Sequence, residues 1–265
     1  MQMCDIGGNI RLHYADTGPR DAPVLVLSGS LGTDFRMWED MIAYLPRGLR
    51  VVRYDMRGHG LSTCPDGPYF MGDLVADVAA LMERLEVSAA TFVGLSIGGM
   101  IGQGLAAERP DLVGALVLSN TAAKIGTPAI WDDRIATVRQ GGIEAIAFAT
   151  MERWFARATR RERPGLVEAF LNMLMRQPAP GYLGAMAAIA ETDLFDSTAR
   201  LSLPVMGIAG TEDGSTPADL VRETTELVPG ARFELVRNAG HLPPVERPRA
   251  YAALLAGFLG ETGAL

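Results

Sequence analysis

The sequence predicts an α/β fold: a mostly parallel, eight-stranded sheet covered by helices on both faces, with one inserted helical segment. Short apolar runs, which are typical of strands buried on both faces, alternate along the chain with longer amphipathic segments. This alternation favours a parallel sheet, because parallel strands are joined by helical crossovers. It stops between residues 121 and 201 and then resumes, which indicates an insertion. A chain of 265 residues is long enough for one such fold.

The first 120 residues supply most of the predicted sheet. Residues 3–18 alternate apolar and polar side chains around Gly7-Gly8-Asn9, as in a two-stranded hairpin. Continuous apolar runs predict further strands at 24–27, 50–55, 91–95 and 115–120. Helices are expected over residues 69–85, where leucine and valine recur on one face, and directly after residue 96.

The remaining residues divide into a helical insertion and the end of the sheet. Glycine and proline residues separate four segments of helical character, at about 128–140, 142–155, 161–176 and 181–191. After them come predicted strands at 205–210 and 232–236 and helices at 217–227 and 248–259. We therefore expect a core made of residues 1–120 and 202–265, with residues 121–201 as a helical cap rather than an independent domain.

Composition limits the partners and cofactors of this chain. The formal net charge is −7, which argues against nucleic acid or an anionic membrane as the main partner. No apolar run is long enough to span a bilayer and no signal-like segment opens the chain, so we expect a cytoplasmic protein. The two cysteines and three histidines show no metal-ligand spacing, so neither a metal nor another cofactor is expected. The expected partner is a small-molecule substrate.

A tight turn from strand to helix is predicted at Gly94-Leu95-Ser96-Ile97-Gly98. This is the G-x-S-x-G pattern of a nucleophile elbow, in which the serine adopts a strained backbone conformation at the carboxyl end of a strand. The helix that follows presents the partial positive charge of its N-terminus, which suits an anion. The pattern makes Ser96 the candidate nucleophile.

A serine hydroxyl needs a base to take its proton and a third group to orient that base. Of the three histidines, His13 lies within a predicted strand, whereas His59 and His241 lie in loops that follow strands. His241 is the preferred base, because its loop leaves the last strand at the sheet edge where Ser96 is expected.

The acid of such a triad is expected just after an earlier strand, on the far side of the imidazole. The strand predicted to end at Gly210 is followed by Glu212 and Asp213, and either carboxylate is suitably placed. Asp213 lies further past the strand and precedes a turn, although its position also suits an N-cap of the next helix. The resulting chain order of nucleophile, acid and base belongs to one fold among the triad hydrolases.

Four stretches in this order resemble the motifs of the α/β-hydrolase family. They are Asp55–Ser62, Gly94–Gly99, Gly210–Asp213, and Gly240–His241 followed by Glu246–Pro248. The resemblance extends over nearly the whole chain. It implies the α/β-hydrolase fold, Asp213 rather than Glu212 as the third member of the triad, and a structural loop around His59.

One loop departs from the pattern of that family. Many members have His-Gly where this chain has Ser28-Gly29. By position, the resemblance implies that the backbone N–H groups of Ser30 and Ile97 form the oxyanion hole. Because both donors belong to the backbone, the different side chain at Ser28 should leave the hole intact.

Two further stretches are similar to 3-oxoadipate enol-lactonases. One is Ser28-Gly29-Ser30-Leu31-Gly32-Thr33 with Met37-Trp38 downstream, and the other is Asn120–Gly126 followed by Trp131 and Arg134. This resemblance implies a serine hydrolase that opens a five-membered enol-lactone to 3-oxoadipate through an acyl-enzyme, in bacterial catabolism of aromatic compounds.

The substrate of those enzymes carries a free carboxylate, which requires a cation or N–H donors in the pocket. Arg134 is the candidate, because it follows Trp131 by about one helical turn and the resemblance implies that this helix covers the pocket. Trp131 and Trp154 are candidate pocket walls. The expected substrate is therefore a small anionic lactone or ester.

Other activities of the same fold stay open. A general carboxylesterase or perhydrolase-like enzyme is the strongest alternative, because pocket shape rather than fold decides the substrate. A carbon–carbon hydrolase of ring-cleavage products also uses Ser-Asp-His, but its oxyanion loop is usually rich in glycine. Haloalkane dehalogenases and epoxide hydrolases use an aspartate nucleophile, so Ser96 argues against both. A ligand-binding receptor with little turnover is disfavoured by the complete set of triad residues.

Overall fold

The computed structural model describes residues 1–265 and contains one eight-stranded sheet. Its strands are β1 (Gln2–Gly7), β2 (Ile10–Thr17), β3 (Val24–Ser28), β4 (Arg50–Tyr54), β5 (Ala90–Leu95), β6 (Val113–Ser119), β7 (Val205–Gly210) and β8 (Arg232–Val236). Their order across the sheet is β1-β2-β4-β3-β5-β6-β7-β8. The predicted eight-stranded sheet is confirmed.

The sheet is antiparallel at one end only. β2 pairs antiparallel with β1 and β4, and all other neighbours are parallel. Every residue of β5 and β7 is buried, because helices cover both faces there, whereas the edge strand β1 has no fully buried residue. Because β3 to β8 run in the same direction, their carboxyl ends meet at one edge of the sheet, and the loops that leave them are neighbours.

Twelve α-helices accompany the sheet. They are α1 (Glu39–Ile42), α2 (Met71–Arg84), α3 (Ile97–Glu108), α4 (Pro128–Gly141), α5 (Glu144–Trp154), α6 (Arg157–Glu162), α7 (Pro164–Met175), α8 (Ala179–Ala190), α9 (Phe195–Thr198), α10 (Ala218–Glu226), α11 (Pro243–Glu246) and α12 (Pro248–Glu261). Helices α4 to α8, which we call the insertion, lie between β6 and β7 and confirm the predicted helical segment. None of the twelve combines the length and the apolar composition that crossing a bilayer requires.

One predicted helix of the insertion is wrong. Residues 161–176 belong to two helices, α6 and α7, which meet at Arg163. Arg163 has φ −130° and ψ 54°, outside the helical region. The cause is Pro164, since proline disfavours the α conformation of the residue before it but is well accepted at the first position of the next helix.

The hydrophobic core continues from the sheet into the insertion. One cluster of 70 buried hydrophobic residues includes Val93 in β5 and Trp154, Phe155 and Phe170 around α5 and α7. The rings of Phe155 and Phe170 meet edge to face, with their centroids 5.6 Å apart. The insertion therefore packs as a further layer on the core. The cap limits of residues 121 and 201 stay a prediction.

Candidate active site

Ser96 lies at the turn between β5 and α3, in a strained backbone conformation. Its φ is 59° and its ψ is −121°, and a positive φ is uncommon for any residue other than glycine. The Ser96 N–H donates to the Ser119 carbonyl at 3.0 Å, and Thr121 Oγ1 donates to the Ser96 carbonyl at 2.6 Å. Strain of this kind costs about 1–3 kcal/mol and persists where the surrounding structure fixes the conformation.

Close backbone contacts explain the glycines on either side of Ser96. A Cβ on Gly94 would collide with the Gly98 carbonyl, and a Cβ on Gly98 would collide with the Ser28 carbonyl. The start of α3 is therefore in direct contact with the end of β3. As a result, the loop that follows β3 lies beside Ser96.

His241 lies in the loop after β8, and its ring contacts Asp213 in the loop after β7. Nδ1 of His241 is 2.9 Å from Oδ2 of Asp213, and both side chains are buried, with 2% and 0% exposed. A carboxylate beside Nδ1 accepts its proton in a hydrogen bond, which leaves Nε2 as the basic nitrogen. The structure brings the predicted base and the predicted acid together.

Four more hydrogen bonds fix the Asp213 carboxylate. Oδ1 accepts the Ser215 and Thr216 N–H groups at 2.7 and 3.1 Å, and Oδ2 accepts Asn120 Nδ2 and Thr216 Oγ1, both at 2.7 Å. Burial alone would raise the pKa of Asp213, but the charge and hydrogen bond of His241, with those of Asn120 and Thr216, hold that pKa below its usual value. The carboxylate is therefore ionised and suited to stabilise an imidazolium.

Asn120 and Thr216 were not among the predicted site residues. Asn120 follows β6 with φ 45°, and asparagine tolerates this left-handed region better than most residues. Its position just past the end of a strand could have indicated that it lies near the other site residues. Thr216 lies three residues after Asp213, a spacing at which an aspartate often closes a local turn. Asp213 thus closes the turn before α10 with one oxygen and contacts His241 with the other.

The other candidates for acid and base lie elsewhere. Glu212 accepts the Arg157 N–H at 3.0 Å. His13 is buried in β2 and pairs with Asp55 at 2.8 Å. Neither contacts His241.

His59 supports the loop after β3. Its Nε2 accepts the Gly32 N–H at 3.0 Å, and its Nδ1 is 3.3 Å from the Arg57 carbonyl. Complete burial lowers the pKa of His59 to about 4. The ring is therefore neutral near pH 7, with its proton on Nδ1 and an acceptor facing Gly32.

The two predicted oxyanion donors differ in their surroundings. Ile97 is the first residue of α3, so its N–H has no acceptor within the helix. The Ser30 N–H, in contrast, donates to Thr33 Oγ1 at 3.1 Å. The role of both N–H groups in an oxyanion hole stays a prediction, and in this structure only that of Ile97 is free.

Ser96, His241 and Ser30 all line one cavity between the sheet edge and the insertion. Nε2 of His241 is 3.5 Å from the Ser30 hydroxyl, and Ser96 Oγ forms no hydrogen bond with the ring. Catalytic hydrogen bonds are often long in unliganded enzymes and shorten when substrate binds. The predicted nucleophile and the predicted base therefore face the same cavity.

Trp131, Arg134 and Trp154, the site residues predicted within the insertion, also line this cavity. Trp131 Nε1 donates to the Ile125 carbonyl at 2.6 Å, which fixes the indole. The Arg134 guanidinium lies 5.0 Å from the centroid of the Trp131 ring, a cation–π distance. The cavity therefore combines an apolar wall with a fixed positive charge.

Arg153 and Tyr182 complete the wall but were not predicted. Arg153 donates to Thr150 Oγ1 at 3.0 Å, and neither it nor Arg134 forms an ion pair. Burial, followed by the positive charge of Arg134, lowers the pKa of Arg153. Burial raises the pKa of Tyr182 to about 12, so the phenol keeps its proton. Since no acidic side chain lines the cavity, two uncompensated guanidinium groups make it attractive to an anion.

The end of α5 also holds the loops of the predicted acid and base. The Arg153 carbonyl accepts the Gly214 N–H at 3.1 Å, and the Trp154 carbonyl accepts the His241 N–H at 2.8 Å. The same short segment therefore presents side chains to the cavity and backbone acceptors to both loops.

The Glu246 side chain forms a second connection between the end of α5 and the loop of His241. Its two carboxylate oxygens accept the Ala156 N–H at 2.9 Å and the Gly240 N–H at 2.5 Å. Burial raises the pKa of Glu246, and its hydrogen bonds oppose that shift. The carboxylate thus joins the chain just after α5 to the residue before His241.

Comparison with known proteins identifies the class of this chain. The family model described as alpha/beta hydrolase fold matches residues 22–248. The chain belongs to that family. The match extends from the residues before β3 to the start of α12, so strands β3 to β8, the insertion and the three predicted triad residues of this α/β-hydrolase all lie inside it.

Several proteins of known name are similar to this α/β-hydrolase. The 3-oxoadipate enol-lactonase 2 of Acinetobacter baylyi is 38% identical over 243 residues, which cover 92% of this chain and 91% of that protein. The crystal structure of the enol-lactonase from Burkholderia xenovorans has a TM-score of 0.94 at 36% identity, covering 98% of this chain and 100% of that one. A thermophilic esterase from Thermogutta terrifontis, with malate bound, has a TM-score of 0.89 at 28% identity, covering 96% and 94%.

The comparisons confirm the predicted family and fold and make this protein a serine hydrolase of the ester and lactone class. The predicted similarity to enol-lactonases is confirmed, and the substrate of this protein is not decided by it. The roles of the individual site residues stay predictions.

Proposed function

We propose that this α/β-hydrolase hydrolyses 3-oxoadipate enol-lactone to 3-oxoadipate through an acyl-enzyme on Ser96, as a step in bacterial catabolism of aromatic compounds. The observation that carries the proposal is the content of one cavity: Ser96 and the carboxylate-paired His241 line it together with two arginines that have no acidic partner. The serine and histidine suit acyl transfer, and the arginines suit a substrate with a carboxylate. Similarity to two named enol-lactonases supports the choice of lactone.

Acylation begins when Ser96 Oγ attacks the lactone carbonyl and Nε2 of His241 takes the Ser96 proton. The imidazolium forms 2.9 Å from the ionised Asp213 carboxylate, which offsets its charge. The carbonyl oxygen becomes an oxyanion beside the start of α3, where the unengaged N–H of Ile97 donates to it.

Collapse of the tetrahedral intermediate breaks the C–O bond of the ring and expels an enolate, which is a better leaving group than an alkoxide. The enol oxygen takes the proton from His241, and the imidazole is neutral again. His241 then removes a proton from water, which attacks the acyl-enzyme. As this second tetrahedral intermediate collapses, Ser96 Oγ takes that proton back from His241 and the acid is released. The enol product becomes a ketone, and this tautomerisation opposes ring closure.

The carboxylate of the substrate ring is bound by the two arginines of the insertion. Arg134 lies over Trp131, which holds its guanidinium plane in place. Arg153 reaches the cavity from the end of α5 and keeps only Thr150 Oγ1 as a partner, so most of its donors are free for a carboxylate. A neutral ester would leave both charges uncompensated.

The test is a comparison of purified protein on 3-oxoadipate enol-lactone and on a panel of neutral aryl esters. Turnover of the lactone with kcat of about 1–1000 s⁻¹, the usual range for enzymes, supports the proposal. If the lactone is inert and aryl esters react rapidly, the protein is a general carboxylesterase. If neither reacts and a fluorophosphonate does not label Ser96, the hydrolytic mechanism itself is wrong.

A further inference from the structure

We propose that the side-chain hydroxyl of Ser30, rather than its backbone N–H, is the second oxyanion donor of this site. The proposal rests on the proposed serine hydrolysis, but it does not depend on which ester or lactone is the substrate. It assigns a catalytic role to the loop that departs from the usual His-Gly pattern.

Thr33 forms hydrogen bonds with both the N–H and the carbonyl of Ser30. The Ser30 N–H donates to Thr33 Oγ1 at 3.1 Å, and that hydroxyl donates to the Ser30 carbonyl at 2.8 Å. The Thr33 N–H donates to the same carbonyl at 3.1 Å. Ser30 and Thr33 are 1% and 2% exposed, so no solvent replaces a bond that is broken here. Turning the Ser30 N–H towards a substrate would therefore cost a buried hydrogen bond.

The Ser30 hydroxyl, in contrast, forms no short hydrogen bond. Its one polar contact is Nε2 of His241, at 3.5 Å, which is long for a hydrogen bond between a hydroxyl and a nitrogen. Buried hydroxyl groups normally have a good partner. Ser30 lines the same cavity as Ser96. A substrate bound in that cavity can therefore supply the hydrogen-bond acceptor that the Ser30 hydroxyl lacks.

The backbone geometry brings the loop that carries Ser30 beside the segment that carries the first oxyanion donor. A Cβ on Gly98 would collide with the carbonyls of Ser28 and Gly29, so the loop before Ser30 is in contact with the start of α3. The Ile97 N–H leaves that same helix start. An oxygen between the two segments can therefore receive one donor from each.

The step conserves every proton. In the free enzyme the Ser30 O–H points towards Nε2 of His241. When Ser96 attacks, its proton moves to Nε2 and the new C–O bond places negative charge on the carbonyl oxygen. The Ser30 hydroxyl turns about χ1 and donates its own hydrogen to that oxygen without losing it. When the carbonyl re-forms, the hydroxyl is released, and Ser30 is neither acylated nor deprotonated.

The test is Ser30→Ala, which removes the hydroxyl but keeps the backbone N–H. We expect kcat to fall by about 100-fold, the effect of losing one oxyanion donor, while KM changes by less than about threefold. The rate at which a fluorophosphonate labels Ser96 should fall with kcat, because that reaction also develops charge on an oxygen in the hole. Ser62→Ala is the matched control, since it removes another buried serine hydroxyl, one bonded to the Asp55 carbonyl at 2.6 Å.

A fall in kcat of less than about tenfold in a folded Ser30→Ala protein would overturn the proposal and return the role to the N–H. Ser30→Gly is the second variant if Ser30→Ala does not fold, with the same expected loss. Both variants are assayed on the enol-lactone and on 4-nitrophenyl acetate. If the wild type hydrolyses only the aryl ester, and Ser30→Ala slows that reaction, the lactonase assignment fails and the assignment of the hydroxyl stands.

Discussion

The sheet edge and the insertion contribute to one cavity in different ways. The sheet edge supplies Ser96 and His241 to the cavity from the ends of strands, with Asp213 beside the histidine. The insertion supplies Arg134 and Arg153 from two separate helices, with no carboxylate in the cavity lining. Under the proposed function, the chemistry of this protein belongs to strand ends, whereas its choice of substrate belongs to the packing of the insertion.

The two regions are nevertheless connected. The Trp154 carbonyl accepts the His241 N–H, and the Glu246 carboxylate links Ala156 to Gly240. The insertion is therefore more than a cover for the cavity, because its backbone also fixes the loop of the base. Substitutions in each region should separate these contributions.

Removing the nucleophile should abolish activity on every substrate. We expect Ser96→Ala to lower kcat by on the order of 10⁴-fold or more for the lactone and for 4-nitrophenyl acetate alike, because loss of a triad member removes the acyl-enzyme route. Circular dichroism should show an unchanged fold. Comparable turnover of the lactone by this variant would mean that the sheet edge does not perform the chemistry.

Removing an arginine of the insertion should weaken binding of the anionic lactone without slowing the chemical step. We expect Arg153→Met or Arg134→Met to raise KM for the anionic lactone by about 10–100-fold, since hydrogen bonds to charged groups contribute about 1.5–3 kcal/mol. The kcat for the lactone and both constants for the neutral ester should stay within about threefold of wild type.

Arg139→Met is the control for these variants, because Arg139 is an exposed arginine on α4 outside the cavity lining. It should leave all constants unchanged. Equal effects of Arg153→Met or Arg134→Met on lactone and neutral ester would remove that arginine from the carboxylate role.

Breaking the link between the regions should lower kcat without changing selectivity. In Glu246→Gln the amide NH₂ faces one of two N–H donors, Ala156 or Gly240, so one hydrogen bond is lost. We expect kcat to fall by about tenfold on both substrates with KM nearly constant, the cost of one hydrogen bond in the alignment of His241. Glu226→Gln, at an exposed glutamate of α10, is the control. A selective rise in KM for the lactone would instead place Glu246 in substrate binding.

The smallest expected effect concerns stability rather than turnover. The folded pKa of His59 is about 4, below the ordinary 6.5, so the unfolded chain binds a proton first as the pH falls. The stabilisation is complete well above pH 6.5 and is lost towards pH 4, by about 1–2 kcal/mol between pH 6.5 and 5. Urea unfolding of wild type and His59→Asn at both pH values measures this term. Equal losses in the two proteins would show that His59 does not titrate in this way.

The sequence was most informative where a local pattern defines the geometry. The positions of Ser96 and His241 could be predicted, because one lies in a tight turn after a strand and the other in the loop after the last strand. Pro164 indicated the break at Arg163, but the helical pattern continues across it. Arg153 could not be predicted, because its approach to Arg134 depends on how α4 packs against α5. Such packing depends on contacts between distant residues, which neither periodicity nor a short motif specifies.

The most direct test of the division between chemistry and recognition is a matched pair of substrates: the enol-lactone and the methyl ester of its free carboxylate. Both compounds carry the same reacting ring. Only the compound with the free carboxylate carries the charge that Arg134 and Arg153 are proposed to bind. We predict that the wild-type kcat/KM for opening the lactone ring is at least about tenfold higher for the anion, through KM. Equal kcat/KM values for the two rings would contradict the account.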